Sequence, residues 1–389
     1  MADRIISGID VGTHQVKVVI ARVQPHKTKP GLPHIIGTGY AESRGLRHGY
    51  IVNENDAVRS IRSAIAQAEK SAGISIKRAF VAVGGIGIDE ITAKGEVITS
   101  RADSEITQVD IDKATKDSEE RIIEHIPNRK ILHEIPLSYK VDGELVLGKP
   151  HGMRGTKLEV ETLFLTTYEQ HLNDLVSAVE AAGVAVEDVM VAALGASFVM
   201  LNKTQKRAGC VLANIGSETV SIAVFENSLP ISVKVFPLGS TDITNDIALG
   251  LKVSLEEAEK IKRGGMTSAT FSRRKLDEIM NARTTDIFEL IDNHLKTIKR
   301  DGLLPAGVIL TGGGSNLSNT ADIAKSVLKL PAKIASLDPG KQLKVKDASW
   351  AVAYGLCMWG ATNLEETDIL GVTRHAQSSI WKWFSQFLP

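Results

Sequence analysis

The chain has 389 residues, 43% apolar and 24% charged, an ordinary balance for a folded protein and more than one simple core can use, so two or more domains are expected. Lysine and arginine total 46 and so do aspartate and glutamate, which excludes a bulk electrostatic binder of nucleic acid; no ribonucleoprotein motif or zinc-ligand spacing appears either. The two cysteines, Cys210 and Cys357, sit in apolar runs and read as buried thiols of a reducing compartment, and the first strand begins with no signal core before it; a cytoplasmic protein without a membrane span is expected.

In chain order, residues 5–9 read as a buried strand, Asp10-Val11-Gly12-Thr13 as a tight turn out of it, and 16–20 as a second apolar strand. Val58, Ile61, Ile65 and Ala68 recur at helical spacing and mark a helix over 56–72 laid on the first sheet. Residues 108–125 look helical, while 130–140 and 157–165 look like strands. The opening figure then recurs. Val211-Leu212-Ala213 leads into Asn214-Ile215-Gly216-Ser217, and 220–225 is again a strand. In register, Asp10 faces Asn214, Gly12 faces Gly216, Thr13 faces Ser217 and Val16 faces Val220. Two copies of strand–turn–strand imply two related half-domains with a cleft between them. A short helix over 255–262 carries Glu259 and Lys262 on one face, and Ile287, Leu290, Ile291, Leu295 and Ile298 mark a longer amphipathic one. Residues 307–311 form a strand ending in Gly312-Gly313-Gly314-Ser315, with a helix over 319–328 behind it.

A glycine in such a turn lets the backbone approach closely, so that amide N–H groups and a Thr or Ser hydroxyl can bond phosphate oxygens. The Asp in front suits a hydrated Mg²⁺, a hard cation that keeps its waters. These are not Walker loops, because a strand follows each turn and no G-x-x-x-x-G-K-[ST] occurs. The glycine run at 312–315 suits a phosphate, or a nucleoside lying flat on the backbone. Taken singly, each has a plainer reading: a hairpin turn, a flexible connection, an ion pair of little worth. Their joint occurrence favours a ligand.

The last residues have a different chemistry. Ile380, Trp381, Trp383, Phe384, Phe387 and Leu388 fall on one face of a helix, and Lys382, Ser385 and Gln386 on the other. Nine residues span only ~13 Å as a helix against a hydrocarbon core of ~30 Å, so this stretch suits a membrane surface and not a crossing. The polar, irregular stretch before it, from Thr362, reads as a tether; a terminal helix docked on its own core is the alternative.

Together these motifs resemble the actin-like ATPase superfamily of actin, DnaK-type chaperones and sugar kinases. Gly8-Ile9-Asp10-Val11-Gly12-Thr13 is similar to its first phosphate motif, Asn214-Ile215-Gly216-Ser217 to its second, and Leu310-Thr311-Gly312-Gly313-Gly314 to its adenosine motif. Phe236-Pro237-Leu238-Gly239-Ser240-Thr241-Asp242-Ile243-Thr244-Asn245-Asp246-Ile247-Ala248, followed by Glu257-Ala258-Glu259-Lys260-Ile261-Lys262, resembles the bacterial division family FtsA, and the resemblance runs from about Ile5 to Leu388. It implies an α/β chain with the duplicated, ribonuclease H-like, two-domain actin fold and an FtsA-type insertion subdomain in the first domain. On this pattern 1–85, 162–195 and about 348–361 form the first half-domain and 86–161 the insertion. Residues 196–239 and 303–347 form the second half-domain, 240–302 a helical subdomain, 362–379 a linker and 380–389 the membrane-targeting helix.

The resemblance also implies ligands and partners. ATP would meet Gly12, Thr13, His14, Lys17, Gly216, Ser217, Glu218, Gly239, Glu259, Lys262, Gly312, Gly313, Gly314 and Asn316, with Mg²⁺ at Asp10 and Asn214. The protein would polymerise with its own copies and lie on the inner face of the cell membrane at the division site. The C-terminal tail of the tubulin-like FtsZ would dock near Arg283, Asn293, Lys296, Lys299 and Arg300, other division proteins would dock on the insertion, and no nucleic acid is implied. One departure stands out: where most of the superfamily has Asp-x-Gly-Gly-Gly-Thr, this chain has Asn214-Ile215-Gly216-Ser217-Glu218-Thr219. Asn keeps an oxygen but loses the charge that holds Mg²⁺, and Glu218 adds charge where a terminal phosphate would approach. Nucleotide binding with weak or absent hydrolysis is expected. A pilus-assembly adaptor of the PilM type and a sugar or carboxylate kinase are the alternatives, the kinase lacking a catalytic Asp at Asn214. A chaperone would need a substrate domain after the ATPase core.

Overall fold

The computed structural model describes residues 4–23, 33–266, 270–337 and 347–370, with side chains described up to 362 in the last helix. The membrane helix expected at 380–389, with Ile380, Trp381, Trp383, Phe384, Phe387 and Leu388, lies outside the described residues.

The chain opens with strands β1 (Arg4–Val11), β2 (Gln15–Val23) and β3 (His34–Glu42), then the small hairpin β4 (Leu46–Arg47) and β5 (Tyr50–Ile51). Helix α1 (Glu54–Ala72) starts where the Asn53 side chain accepts from the Asp56 N–H, and stops at Gly73, whose φ of 71° is left-handed. Strand β6 (Arg78–Val83) is followed by β7 (Asp89–Ile98), α2 (Gln108–Ile123), β8 (Arg129–Val141), β9 (Glu144–Val146) and β10 (Lys157–Tyr168). Helix α3 (Glu169–Ala181), β11 (Ala185–Val191), α4 (Ala192–Met200) and α5 (Lys203–Ala208) lead into β12 (Cys210–Ile215), β13 (Val220–Glu226) and β14 (Leu229–Phe236). Helices α6 (Ser240–Leu251), α7 (Leu255–Lys262) and α8 (Arg273–Thr297) precede β15 (Val308–Thr311), α9 (Thr320–Leu328), β16 (Ala332–Ile334) and α10 (Ala351–Leu370).

Two sheets share one plan. The first runs β11-β6-β1-β2-β3 and the second β14-β13-β12-β15-β16, each an antiparallel three-strand meander extended by two parallel strands. The opening hairpins also match, with Val11 opposite Val16 and Ile215 opposite Val220, so a four-residue turn sits at the equivalent place in both. The inner strands β2 and β12 are buried on both faces along these stretches, which is why 16–20 and 211–213 read as mostly apolar runs. A third sheet, β7-β10-β8-β9, carries α2 and encloses its own small core of Ile106, Ile111, Ala114, Tyr139, Leu158 and Val160. Helices α6, α7 and α8 bury Ile243, Ile247, Ala258, Ile261, Leu276 and Met280 against one another.

Three expectations change. Residues 362–370, expected as irregular tether, continue α10; a buried helix already nucleated extends at little cost through helix formers such as Leu364, Glu365 and Glu366. The helix marked by Ile287 to Ile298 begins at Arg273, because Leu276, Met280 and Thr284 prolong the buried stripe at i, i+4 and i+8, whereas Leu290 stands off it at 37% exposure. The glycine run at 312 does not open α9 directly: a 3₁₀ turn over Gly313–Asn316 comes between. Cys210 and Cys357 are buried free thiols, as their apolar surroundings imply. Among the described residues no helix is long and apolar enough to cross a membrane.

Candidate functional site

The two hairpin turns face each other and touch. Thr13 Oγ1 and Ser217 Oγ, 204 residues apart in the chain, lie 2.6 Å from each other. Glycine is required at the equivalent place in each: a Cβ on Gly12 would lie 2.9 Å from the Gln15 carbonyl oxygen, and one on Gly216 2.8 Å from that of Thr219. Asp10 and Lys17 oppose each other at the foot of the first turn. Burial pushes the Asp10 carboxyl up to about 6, with Lys17 holding it down. Burial likewise lowers Lys17, whose charge Asp10 and Asp347 support.

Helix α6 docks its N-terminus on the second turn. The amides of Ser240 and Thr241 donate to the carbonyls of Gly216 and Ser217 at 2.9 and 2.8 Å, and Gly239 is needed because its Cβ would lie 2.3 Å from the Ser217 oxygen. Beyond α6, Glu259 and Lys262 are joined at 2.6 Å. Lys262 Nζ also donates to Thr244 Oγ1 at 2.7 Å and the Ser240 carbonyl at 2.9 Å, Thr244 donates to Glu259 at 2.6 Å, and Arg263 Nε donates to the other Glu259 oxygen at 2.6 Å. With Lys262 only 6% exposed, this is a locked cluster and not the solvated surface pair its spacing alone allows. Burial raises the Glu259 carboxyl, but hydrogen bonds from Lys262 and Thr244 outweigh it and hold the group below the usual range. The charges of Arg263, Lys17 and Lys262 fall on His14, which burial foremost keeps below its ordinary value, with Glu259 opposing.

The glycine loop divides in two. Gly312, at φ 85°, packs against Asn214 Oδ1 (a Cβ would lie 2.3 Å away), and Gly314 against Ile215 Cγ2 at 2.5 Å, so both are packing requirements. Gly313 has nothing within 4 Å of the Cβ position and keeps an open face, beside the exposed Asn316.

Glu218 does not extend toward open cleft. Its Oε2 accepts from the His48 backbone N–H at 2.5 Å, and its carbonyl accepts from His48 Nδ1 at 3.2 Å, which fixes the proton on Nδ1. His48 sits at φ 48° at the tip of the β4–β5 hairpin, backed by Gly49 and Gly85 at φ 87° each. The sequence pattern missed His48, Thr244 and Arg263. Arg263, four residues past Glu259 on one helix face, had a signal; His48, whose amide and ring nitrogen meet a residue 170 positions away, left none.

Of the basic residues on and beside α8, three are held by the protein's own carboxylates: Arg283 by Asp246 at 2.7 Å, Lys296 by Asp292 at 2.6 Å and Arg300 by Glu226 at 2.8 Å. Asn293 and Lys299 are exposed, the latter at φ 58° just past the helix end.

Glu259, 34% exposed, could still accept a bond from a ribose hydroxyl, whereas the three N–H groups of Lys262 are already given to Glu259, Thr244 and Ser240; Gly313 leaves an open face where a base could lie. Asp10 could hold a largely hydrated Mg²⁺ through its one carboxylate, and among the described residues no cluster of three His, Cys, Asp or Glu offers a metal more. With the Thr13 and Ser217 hydroxyls bonded to each other at 2.6 Å, a phosphoryl group could sit between the two only by displacing that bond.

A family model described as Cell division protein FtsA matches residues 211–355, and one described as SHS2 domain inserted in FTSA matches 86–166. The cell division protein FtsA of Bacillus subtilis is 31% identical over 376 residues, covering 91% of this chain and 83% of its own length. That of Pseudomonas aeruginosa is 27% identical over 400 residues, covering 97% and 94%. Among solved structures, a PilM-PilN type IV pilus biogenesis complex superposes with a TM-score of 0.68 at 16% identity, covering 92% of this chain and 98% of that one. MreB5 of Spiroplasma citri bound to ADP superposes at 0.54 and 12%, covering 93% and 98%. These two establish the actin-like fold that the paired sheets display, and the relatives of higher identity place the chain within it: it belongs to the FtsA family of bacterial cell-division proteins.

Proposed function

We propose that the protein is a division adaptor that binds an adenine nucleotide, assembles into actin-like filaments and tethers FtsZ to the inner face of the cytoplasmic membrane. The observation that carries this reading is 31% identity to a division protein along 91% of the chain. The nucleotide would enter between the turns at Gly12–Thr13 and Gly216–Ser217, with its ribose at Glu259 and Lys262, its base over Gly313, and Mg²⁺ at Asp10 and the Asn214 oxygen. Bound Mg²⁺ would neutralise phosphate charge; Asn214, uncharged, polarises a water poorly, so turnover is weak or absent. The first half-domain would comprise 1–85, 162–195 and 348–361, with 86–161 inserted for contacts to further division proteins and 240–302 facing the FtsZ tail. On that helical face an acidic tail meets Asn293 and Lys299 directly, and gains Arg283, Lys296 or Arg300 only by exchanging with Asp246, Asp292 or Glu226.

A single nine-residue amphipathic helix binds lipid weakly, whereas a row of them along a filament binds by avidity, so assembly would govern attachment. Head-to-tail contacts do not close on themselves, which suits a filament. Co-sedimentation with lipid vesicles tests this, comparing the full chain with one ending at Ser378, each with and without ATP. Pelleting that needs both vesicles and the final eleven residues is expected. Equal pelleting of the shortened chain would remove the anchor from the reading.

A further inference from the structure

We infer that Ser217 and Glu218 determine which nucleotide the cleft accepts: bonded across it to Thr13 and His48, they stand in for a terminal phosphate, and the site takes a nucleoside diphosphate in preference to a triphosphate. The inference rests on the nucleotide reading above and narrows it.

Three features of the second turn carry it. First, the Ser217 and Thr13 hydroxyls, the two groups best placed to grip a phosphoryl group from opposite sides, satisfy each other at 2.6 Å. A terminal phosphate has to break that bond and part the turns. Second, the Glu218 carboxylate, bonded to the His48 amide at 2.5 Å, already provides the anionic bridge between the halves that such a phosphate would otherwise form. An incoming phosphate meets a fixed like charge in its place. Third, the bridge is built on both sides. Glu218 follows directly on Ser217, whose carbonyl accepts from the Thr241 amide at the start of α6. His48 is held at its left-handed φ by packing so close that a Cβ on Gly85 would lie 2.9 Å from the His48 oxygen. Neither end swings away freely. None of the bonds of the bridge involves Glu259, Lys262 or Gly313, so a ligand one phosphate shorter could use those groups and leave the latch closed.

The test is titration calorimetry of ADP and of ATP, both with Mg²⁺, into the full chain, its Ser217→Gly/Glu218→Gly double variant and its Glu218→Gln variant. The unmodified chain is expected to bind ADP roughly ten- to a hundredfold more tightly than ATP, the range set by one charge-assisted hydrogen bond. The double variant loses that preference, and Glu218→Gln, which keeps an acceptor but drops the charge, falls between. Hydrogen exchange gives a second readout without ligand: the His48 amide is protected in the unmodified chain and exposed in the double variant. Equal affinity for both nucleotides in the unmodified chain, a preference unmoved by the double substitution, or an unprotected His48 amide each overturns the inference while leaving nucleotide binding intact. Binding of neither nucleotide to any of the three chains overturns the nucleotide reading itself.

Discussion

Glu90, at the start of β7, caps the free edge of the second sheet, and removing it should release that edge. Strand β14 lies at the margin of its sheet and would present outward amides to any passing strand. Glu90 Oε2 accepts the Val233 N–H at 2.6 Å, and Oε1 accepts the Ser232 hydroxyl at 2.9 Å. Because Ser232 spends its one proton on Glu90, His294 Nε2, 2.7 Å away, donates to Ser232 Oγ; a neutral imidazole does this, and burial holds His294 down to about 4. Ser232 and Val233 are fully buried, so Glu90→Ala strands two donors. Each bond to a charged acceptor contributes about 1.5–3 kcal/mol, and the carboxylate's own burial, which raises its pKa, takes part of that back. A net loss of about 2–4 kcal/mol follows, or a thirty- to thousandfold faster exchange of the Val233 amide. Native-state hydrogen exchange is the right assay, since a chain of several domains need not unfold in one step. Glu90→Gln keeps one acceptor and should cost about half as much. The pH dependence has a definite sign: a carboxyl raised in the native state contributes most below its unfolded value of 4.5 and loses that contribution as pH rises through the native one, so the penalty of Glu90→Ala shrinks toward alkaline pH. A Val233 exchange rate within threefold of the unmodified chain, or a Gln variant as damaged as the Ala variant, would refute the reasoning.

Two other sites give sharp expectations. Lys206 is 3% exposed, sits 5.1 and 5.5 Å from the rings of Phe225 and Phe198, and is pushed by burial down to about 7. A lysine lowered in the native state contributes fully only above its unfolded value of 10.5 and costs stability as pH falls through 7, so Lys206→Met should stabilise the protein by about 1–3 kcal/mol at pH 6, with the gain vanishing near pH 10. Urea midpoints at the two pH values check it, and a less stable variant at both contradicts it. At Gly355 a Cβ would lie 1.9 Å from the Gly195 carbonyl oxygen, backbone that cannot step aside, so Gly355→Leu should cost about 3 kcal/mol and disturb the near-ultraviolet circular dichroism of the buried Trp359. Unchanged thermal midpoint and spectrum would mean that α4 and α10 can part without loss.

What was legible in the sequence was whatever residue type enforces. The paired turns could be found because Gly12 and Gly216 admit no side chain, and their register predicted the matching hairpins that β1–β2 and β12–β13 form. Helix α1 ended as read at Ala72, where Gly73 takes a left-handed φ. What stayed hidden was carried by backbone groups and long-range partners. The N–H groups of His48 and Val233 would serve from any residue type except proline, and Glu90 finds Val233 143 residues away. The sequence placed Glu218 where a phosphate should approach, but whether that charge repels a ligand or bridges the halves depends on a hairpin 170 residues upstream.

The glycines under α10 have a mechanical consequence. Gly8 lets the Ala353 oxygen come within 2.2 Å of where its Cβ would stand, Gly355 meets Gly195, and Gly360 meets the Phe80 ring at 2.4 Å, so the helix is seated tightly on β1, α4 and β6, backbone against backbone at the first two. Tension applied to the chain beyond Leu370 therefore runs down α10 and into the first sheet as shear, spread over several close contacts at once. The second sheet receives its share through α4, whose Leu194 and Phe198 lie in one buried core with Leu212, Ala223 and Phe225, and through the bonds of Thr13 to Ser217, His48 to Glu218 and Glu90 to Val233. Under load, the first half takes the pull directly, and the other half feels it only at second hand, through α4 and the bonds across the cleft.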